Sequence, residues 1–491
     1  MITNMIGVII RKELRAALVS PKFVASFGVC ALLMLLSTFV GIREFQASRE
    51  QYEAAQRLNE QEMREQTAWG RLGTRVFRAP DPLQIFASGL QNDIGRWSSV
   101  DAFNPVKLKN SVYSDDPVFA VFRFIDLAFI VQIVLTLMAL VYTYDAVNGE
   151  RESGTLQLTF ANPVPRHVYI LGKAVGAWLA LIVPLFVPLL MSLGLLSVFD
   201  ILLSAEHWLR IAIMMGASLA LVSVFIMSGV LVSALTSRSS VSFLVCLVGW
   251  VVTALLIPRA GMMTAGYLVA VPTAAETDSR LDGFSKERWN VHMKELGERW
   301  RARNEQLTGK TEEERRAERE AKEWDWMEED DRSRKQVQRD IDEYATRLRE
   351  DVRNRKLEQE RLGFTLARFS PVAAFQLALM NLAGTDMGMK ARFEDALTEY
   401  RKTFNTYRDA KVKESGTFGG IRISFDSQRG MKIEQGREET LDLAEMPRFS
   451  DPRVPLRDAF SAALVDIGLL VGAALLACAA AVAAFLRYDV R

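Results

Sequence analysis

Cysteine and histidine are scarce in this sequence, which limits the chemistry that it can carry. Three of its 491 residues are cysteines and three are histidines. The cysteines all lie in apolar runs, at Cys30, Cys246 and Cys478. The histidines lie far apart, at His167, His207 and His292. Neither set has CxxC or HExxH spacing, so the composition favours neither a disulfide framework nor a zinc site.

An excess of charge of either sign is also missing. The 60 Lys and Arg residues almost cancel the 59 Asp and Glu residues, which leaves a formal net charge of +1. The basic field that is typical of nucleic-acid-binding proteins is therefore absent, and we expect no nucleic-acid partner. Charge is missing from several long apolar segments and concentrated between them. This pattern is typical of a membrane protein with large aqueous parts.

A complete phosphate-binding loop is the third absence. Residues Gly309–Thr311 read GKT, but the GxxxxGK[ST] pattern needs a glycine where Asn304 stands. A helix break explains the triplet better, with Thr311 as N-cap and Glu314 completing a capping box. We therefore expect no ATPase site in this chain, which is then not an enzyme, and no cofactor or metal bound by it.

Six apolar runs are long enough to cross about 30 Å of hydrocarbon at about 1.5 Å per residue. They are Phe23–Val40, Val118–Tyr142, Ala174–Phe199, Ile211–Leu235, Val241–Pro258 and Ala459–Leu486. The other main segments are 1–22, 41–117, the linker 143–173, 259–458 and the tail 487–491. The predicted fold is an all-α membrane protein with six transmembrane helices.

Lys and Arg residues close to these runs predict the orientation. They are Arg11, Lys12, Arg15, Lys22, Arg151, Arg166, Lys173, Arg238, Arg487 and Arg491. Positive charge in short connections stays in the cytoplasm, so both termini and the linker are predicted to be cytoplasmic. Segments 41–117 and 259–458 then lie on the periplasmic side.

The longer outer segment is predicted to be a large, mainly helical domain. Apolar residues recur at nearly heptad spacing in two stretches, which predicts a helical hairpin or short antiparallel coiled coil. The stretches are Trp289, Met293, Leu296, Trp300 and Leu307, then Val337, Ile341, Tyr344 and Leu348. Further on, Ile421, Ile423 and Phe425 alternate with polar residues before a DSQRG turn, which predicts a small β-hairpin with Met431 and Ile433.

Three charged residues fall inside the apolar runs. Arg123 and Asp126 are three residues apart in the second run, and Asp466 lies in the sixth. Such charges are costly in a membrane, so they pair with other groups or face a cavity. Two interpretations remain open, structural pairing and a lining of a transport path. In the third run, Pro184 and Pro188 predict a kink.

Three stretches of the chain resemble the permease subunits of type-2 ABC exporters. They are RKELRAALVSPKF before the first run, ERESGTLQLTFANPVPR in the linker, and SPVAAFQLALMNLAGTD at Ser370–Asp386. The last is similar to a segment in bacterial members with an enlarged periplasmic domain. The resemblance implies a multi-pass protein of the bacterial inner membrane that works as a dimer with a second permease copy or paralogue. It also implies a separate ATP-binding subunit that carries ATP and Mg.

The resemblance implies roles for two sets of residues. The linker would carry a coupling helix that docks on the ATP-binding subunit, with Glu150, Arg151, Glu152, Gly154 and Thr155 at the docking turn. Residues 1–22 would form an interface helix on membrane lipids, including Arg11, Lys12, Glu13 and Arg15. Independently of the resemblance, apolar residues on one face and basic residues on the other are typical of an interfacial helix.

Two alternatives remain open at this point. The linker could be an ordinary membrane-protein loop with a positive-inside flank. The whole chain could be a mechanical or scaffolding membrane protein whose outer hairpin recruits a periplasmic partner. The transported substrate does not follow from composition.

Overall fold

The computed structural model describes residues 2–91, 95–101, 108–109, 126–308, 310–415, 421–426, 430–435 and 441–488. Among them, six helical stretches are long and apolar enough to cross a membrane. These spans are Pro21–Arg64, Leu127–Glu152, Arg166–Val198, Ala205–Leu235, Ser239–Leu268 and Leu456–Leu486. The predicted six-span helical fold is confirmed, whereas the predicted orientation of the termini stays a prediction.

Two compact units make up the chain. The first contains Met1–Arg259 and Ala367–Arg491, and the second is Ala260–Leu366. In the first unit, the helices that precede and form the first four spans are α1 Ile2–Val19, α2 Pro21–Arg64, α3 Leu127–Phe129, α4 Thr136–Thr143, α5 Asn148–Glu152, α6 Thr155–Phe160, α7 Arg166–Val198 and α8 Ala205–Leu235. The fifth span contains α9 Ser239–Val251 and α10 Ile257–Leu268.

The first span belongs to a much longer helix than the apolar run predicted. Ser20 caps α2, its hydroxyl accepting a hydrogen bond from the Phe23 N–H at 3.2 Å, and Pro21 occupies the first turn. The helix continues for 44 residues, although about 20 suffice to cross a bilayer. The hydrophobic run ends near Val40, but charged residues do not end a helix. Hydropathy alone therefore could not predict where α2 ends.

Two spans contain a π-helical stretch. Residues Ile130–Leu135 join α3 to α4, and Val252–Leu256 join α9 to α10. The indole N–H of Trp250 donates to Thr136 Oγ1 at 2.9 Å, linking the second and fifth spans beside these irregular turns. A π-bulge widens one turn and frees backbone groups, and the Thr136 hydroxyl donates to one of them, the Gln132 carbonyl oxygen, at 2.6 Å.

A short apolar helix, α13 Pro371–Ala383, is buried on almost all sides. It packs against α8 and against the sixth span, α15 Leu456–Leu486. Ser370 caps its start, and Gly384 ends it with φ of +71°. Thirteen residues extend only about 20 Å, too short to cross a bilayer. The similarity segment Ser370–Asp386 is therefore packed with the spans, although the sequence placed it in the outer domain.

A small sheet and a long helix also belong to the first unit. Strands β1 Thr74–Phe77 and β2 Trp97–Val100 pair antiparallel, with Thr74 opposite Val100. Val76 and Val100 pack with Phe393 and Leu397 of α14 Gly388–Ser415 in a separate apolar cluster. The four-residue strands were not predicted, because so short a run carries little alternation.

The predicted β-hairpin is confirmed further along the chain. Strands β3 Ile421–Asp426 and β4 Gly430–Gln435 pair antiparallel, with Ile421 opposite Gln435 and Ile423 opposite Ile433. The residues between the strands lie outside the described part of the chain.

The second unit is a helical hairpin of α11 Ala274–Gln306 and α12 Glu312–Ala367. The capping box between them is confirmed, since the Thr311 N–H donates to Glu314 Oε2 at 3.0 Å and the Glu314 N–H to Thr311 Oγ1 at 3.5 Å.

The predicted heptad seam of this hairpin is wrong at two positions. Met293 is 60% exposed and Trp300 is 53% exposed, while His292 and Arg303 are buried. Arg303 binds Asp330 through Nη1 at 2.9 Å. His292 and Arg303 are 11 residues apart, a spacing that fits a straight helix better than the seven-residue repeat of a coiled coil does. Both side chains are polar, so a search for apolar residues does not find them.

Candidate functional site

The linker folds into two short helices with a tight turn between them. Gly154 separates α5 from α6 and has φ of +71°. A side chain there would meet no atom within 4 Å, so the backbone conformation alone calls for glycine. Thr155 begins α6, and its hydroxyl lies 3.0 Å from Ser153 Oγ. Pro165 then caps α7.

Glu150 lies at the centre of a charged network that joins α5 to α1 and α7. Its Oε1 lies 2.5 Å from Lys12 Nζ and 3.0 Å from Lys173 Nζ. Its Oε2 accepts a hydrogen bond from the Tyr169 hydroxyl at 2.6 Å. Lys173, whose side chain is 3% exposed, also binds Glu13 Oε1 at 2.9 Å. Two carboxylates thus face two ammonium groups, and Glu150 is engaged within its own chain.

The network depends on close packing of α1 against α7. A Cβ on Gly172 would lie 2.9 Å from Ile9 Cγ2, and one on Gly176 would lie 2.6 Å from Glu13 Cβ. Both distances are too short for a side chain, so these two glycines let the helices approach. Arg11 and Arg15 remain exposed on the other face of α1.

Glu152 and Asn148 attach α5 to the connection between the fourth and fifth spans. Glu152 accepts hydrogen bonds from the Ser239 N–H and hydroxyl, both at 2.8 Å, at the start of α9. Asn148 Oδ1 accepts from Ser233 Oγ at 3.1 Å, and its Nδ2 donates to Thr236 Oγ1 at 3.0 Å. The carboxylate at a helix N-terminus also interacts favourably with the helix dipole.

Two arginines connect the linker to the end of α15. Arg166 Nη1 donates to the carbonyl oxygens of Leu486 at 2.7 Å and Tyr488 at 2.9 Å. Arg151 Nη1 donates to the Tyr488 hydroxyl at 3.3 Å, and its guanidinium lies 5.4 Å from the centre of that ring. The linker therefore contacts α1, α7, α9 and α15.

One face of the linker is exposed, and of its residues Arg151 alone takes part in these internal contacts. Leu156 is buried and anchors α6, whereas Leu158 is 71% exposed. Arg151, Gln157 and Ala161 are exposed as well. The sequence analysis missed Leu158, although an apolar residue in so polar a segment was a signal. We call Arg151, Gln157, Leu158 and Ala161 the linker face.

Both described acids among the three predicted intramembrane charges are bonded, and Asp126 lies just before the second span, as the N-cap of α3, rather than inside it. Asp126 Oδ2 accepts hydrogen bonds from the Ser88 N–H and hydroxyl, both at 2.9 Å, and its Oδ1 accepts from the Phe129 N–H at 2.8 Å. Asp466 binds Arg368 through two contacts of 2.5 and 3.2 Å. Arg368 was not recognised from the sequence, because its segment was assigned to the outer domain. Arg123 lies outside the described residues.

Comparison with known proteins gives one result. A search of curated proteins finds no match to the chain. The family model described as ABC-2 family transporter protein matches residues 8–490. The matched range includes the six spans, the linker and the helical hairpin. Membership implies an ATP-binding partner subunit. The chain therefore belongs to the ABC-2 transporter family, as a multi-pass permease component of an ABC transporter.

Proposed function

We propose that this chain is the permease subunit of a type-2 ABC exporter in a bacterial cytoplasmic membrane. It works as a dimer, and a separate ATP-binding subunit docks on the linker face and supplies the energy. One observation carries the proposal: the linker presents an exposed face while its other contacts reach α1, α7, α9 and α15. A movement imposed on that face would be passed to several spans at once.

The internal contacts indicate which linker residues transmit movement and which contact the partner subunit. Glu150 and Glu152 were candidates for direct docking, but their carboxylates are bound within the chain. These two residues are therefore better suited to transmit movement from the linker to the spans than to contact a partner directly. Leu158 fits contact with a partner, since covering an exposed apolar side chain is favourable. The exposed Arg151 can add to that contact, since arginine is enriched among the residues that contribute most at interfaces, although it also contacts Tyr488.

The orientation supports the same roles. The Lys and Arg residues of the short connections favour a cytoplasmic linker, on the side where an ATP-binding subunit would dock. On α1, exposed Val8 and Val19 accompany exposed Arg11 and Arg15, a composition suited to anionic membrane lipids beside the docking site.

Copurification of the ATP-binding subunit tests the docking face. Leu158→Asp replaces an exposed apolar contact by a charge that docking would desolvate, so we expect copurification to fall at least about tenfold, or about 1.4 kcal/mol. Leu202→Asp is the matched control, because Leu202 is 90% exposed and lies between the third and fourth spans. Unchanged copurification with Leu158→Asp, in a permease of normal melting temperature, would refute docking at this face.

A further inference from the structure

A polar cavity lies at the end of α8 that is remote from the linker. It has a volume of about 420 Å³. Its walls come from residues 78–81, the start of α8, the end of α13 and the segment leading into α15. The fourth and sixth spans both begin here, so the cavity lies where the chain enters the membrane.

Arg78 on the cavity wall has donors that the protein does not use. The residue is 8% exposed, and its Nη2 donates to the Gln91 carbonyl oxygen at 2.5 Å. Nε and Nη1 have no hydrogen-bond partner among the described residues. Burial lowers the pKa of this guanidinium to about 10, which still leaves it charged at neutral pH. A buried cation with free donors is costly unless an anion binds it.

Most other charged groups on the wall already have partners. Glu206 binds Arg210 Nη2 at 2.6 Å. Arg392 binds Asp386 through contacts of 3.0 and 2.9 Å. Asp81 Oδ1 accepts from the Leu83 N–H at 2.9 Å.

Two further charged residues line the same cavity. Asp451 Oδ2 accepts from the Ala79 N–H at 3.1 Å, while Arg453 is exposed. The four arginines of the wall are balanced by its three carboxylates and by Asp386, which binds Arg392, so the unused donors of Arg78 and not a net charge favour an anion here.

We propose that this cavity binds an anionic phosphate group on the free donors of Arg78. Arg453 adds positive charge at the same cavity, and the start of α8 contributes the positive end of a helix dipole. Arginine is well suited to phosphate oxygens, because charge-assisted hydrogen bonds are stronger than neutral ones. The phosphate belongs either to an anionic lipid headgroup, which the position at the span ends allows, or to a free ion.

Two probes separate these sources in the purified full-length chain in neutral detergent. Inorganic phosphate tests a free ion, and dihexanoyl phosphatidylglycerol tests an anionic headgroup, with dihexanoyl phosphatidylcholine as the zwitterionic control. The measurement is the melting temperature as a function of probe concentration. We expect a saturable rise with at least one anionic probe and a smaller one with phosphatidylcholine. A rise with phosphatidylglycerol alone identifies the lipid.

Three variants assign the effect to Arg78. Arg78→Met is expected to lose the anion-dependent rise and to melt higher than the wild type without anion, because it removes the unused buried donors. Arg75→Met is the matched control, since Arg75 lies on β1, three residues before Arg78, and pairs with Glu62 at 3.2 Å. Asp451→Asn keeps an acceptor for Ala79 but removes a negative charge, so half-saturation should need less anion.

Either of two results would overturn the proposal. One is the absence of a saturable rise with either anionic probe. The other is an equal rise in wild type and Arg78→Met. If Arg78→Met fails to fold, Asp451→Asn decides the matter, because unchanged or weaker anion binding in that variant contradicts the proposed site.

Discussion

Lys173 is the residue on which the charged network of the linker depends. It is buried between Glu13 and Glu150, at 2.9 and 3.0 Å. Removing one member of a buried ion pair costs more than the pair itself contributes. Without Lys173, Glu13 loses this partner, while Glu150 keeps its bonds to Lys12 and Tyr169. Here the two acidic partners would also repel each other.

Lys173→Met should lower the free energy of unfolding by about 3 kcal/mol. Adding Glu13→Gln should recover part of the loss, because only one carboxylate, that of Glu150, then faces the position that Lys173 occupied. Melting in detergent measures both effects. Lys22→Met is the matched control, since Lys22 pairs with Asp145 at 3.6 Å on the exposed surface. Equal melting of Lys173→Met and Lys22→Met would contradict the network.

At the same scale, individual residues explain what the sequence could not predict. The charge of Glu150 suggested a docking contact, and nothing in the linear order indicated that Lys12, Lys173 and Tyr169 would surround it. Likewise, Asp466 was recognised as an intramembrane charge, but its partner Arg368 is 98 residues away. Pairings across such separations depend on tertiary packing.

In the proposed function, the linker helices α5 and α6 connect the docking face to the spans, and Gly154 lies between the two helices. A left-handed conformation costs other residues about 1 kcal/mol or more, asparagine least among them. We expect stability in the order Gly154, then Gly154→Asn, then Gly154→Ala, with about 1 kcal/mol lost for alanine. Since a Cβ at position 154 would meet no atom within 4 Å, steric crowding cannot explain a loss of stability in these variants.

The measurement is the free energy of unfolding together with copurification of the ATP-binding subunit. Gly28→Ala is the control, because it lies within α2, where a Cβ also meets no atom within 4 Å. Alanine favours a helix interior, so this substitution should not destabilise the protein. If Gly154→Ala is as stable as the wild type, the turn does not require its left-handed backbone.

Elements differ in how well the sequence predicts them, and hydropathy explains the difference. The six spans and the β3–β4 hairpin were predicted because each has a regular apolar pattern. The packing of α13 against the spans was not predicted, because its apolar run is too short to be read as a span. The hairpin seam was misread because its buried positions include Arg303 and His292, which an apolar pattern omits.

At the scale of the whole molecule, the orientation in the membrane decides what each end can meet. The Lys and Arg distribution predicts that Ser153 faces the cytoplasm and Leu202 the periplasm. Ser153→Cys and Leu202→Cys, each in a chain with its three native cysteines replaced by alanine, test this in intact cells. An impermeant thiol reagent should label Leu202→Cys, and label Ser153→Cys only after lysis. Both positions are exposed, so burial cannot imitate the result. Labelling of Ser153→Cys in intact cells would mean that the linker faces the periplasm and that the predicted orientation is wrong.

The central claim is that the linker passes movement of an ATP-binding subunit to the spans. The most direct measurement is the distance between spin labels at Leu202→Cys in the two copies of the complex, with and without a non-hydrolysable ATP analogue. Asn148→Ala with Glu152→Ala removes the side-chain hydrogen bonds to Ser233, Thr236 and Ser239 but leaves Leu158 in place. We expect a nucleotide-dependent change of distance in the wild type, and a smaller change in the double variant although the subunit still copurifies. The same change in both, with equal copurification, would contradict transmission through the linker.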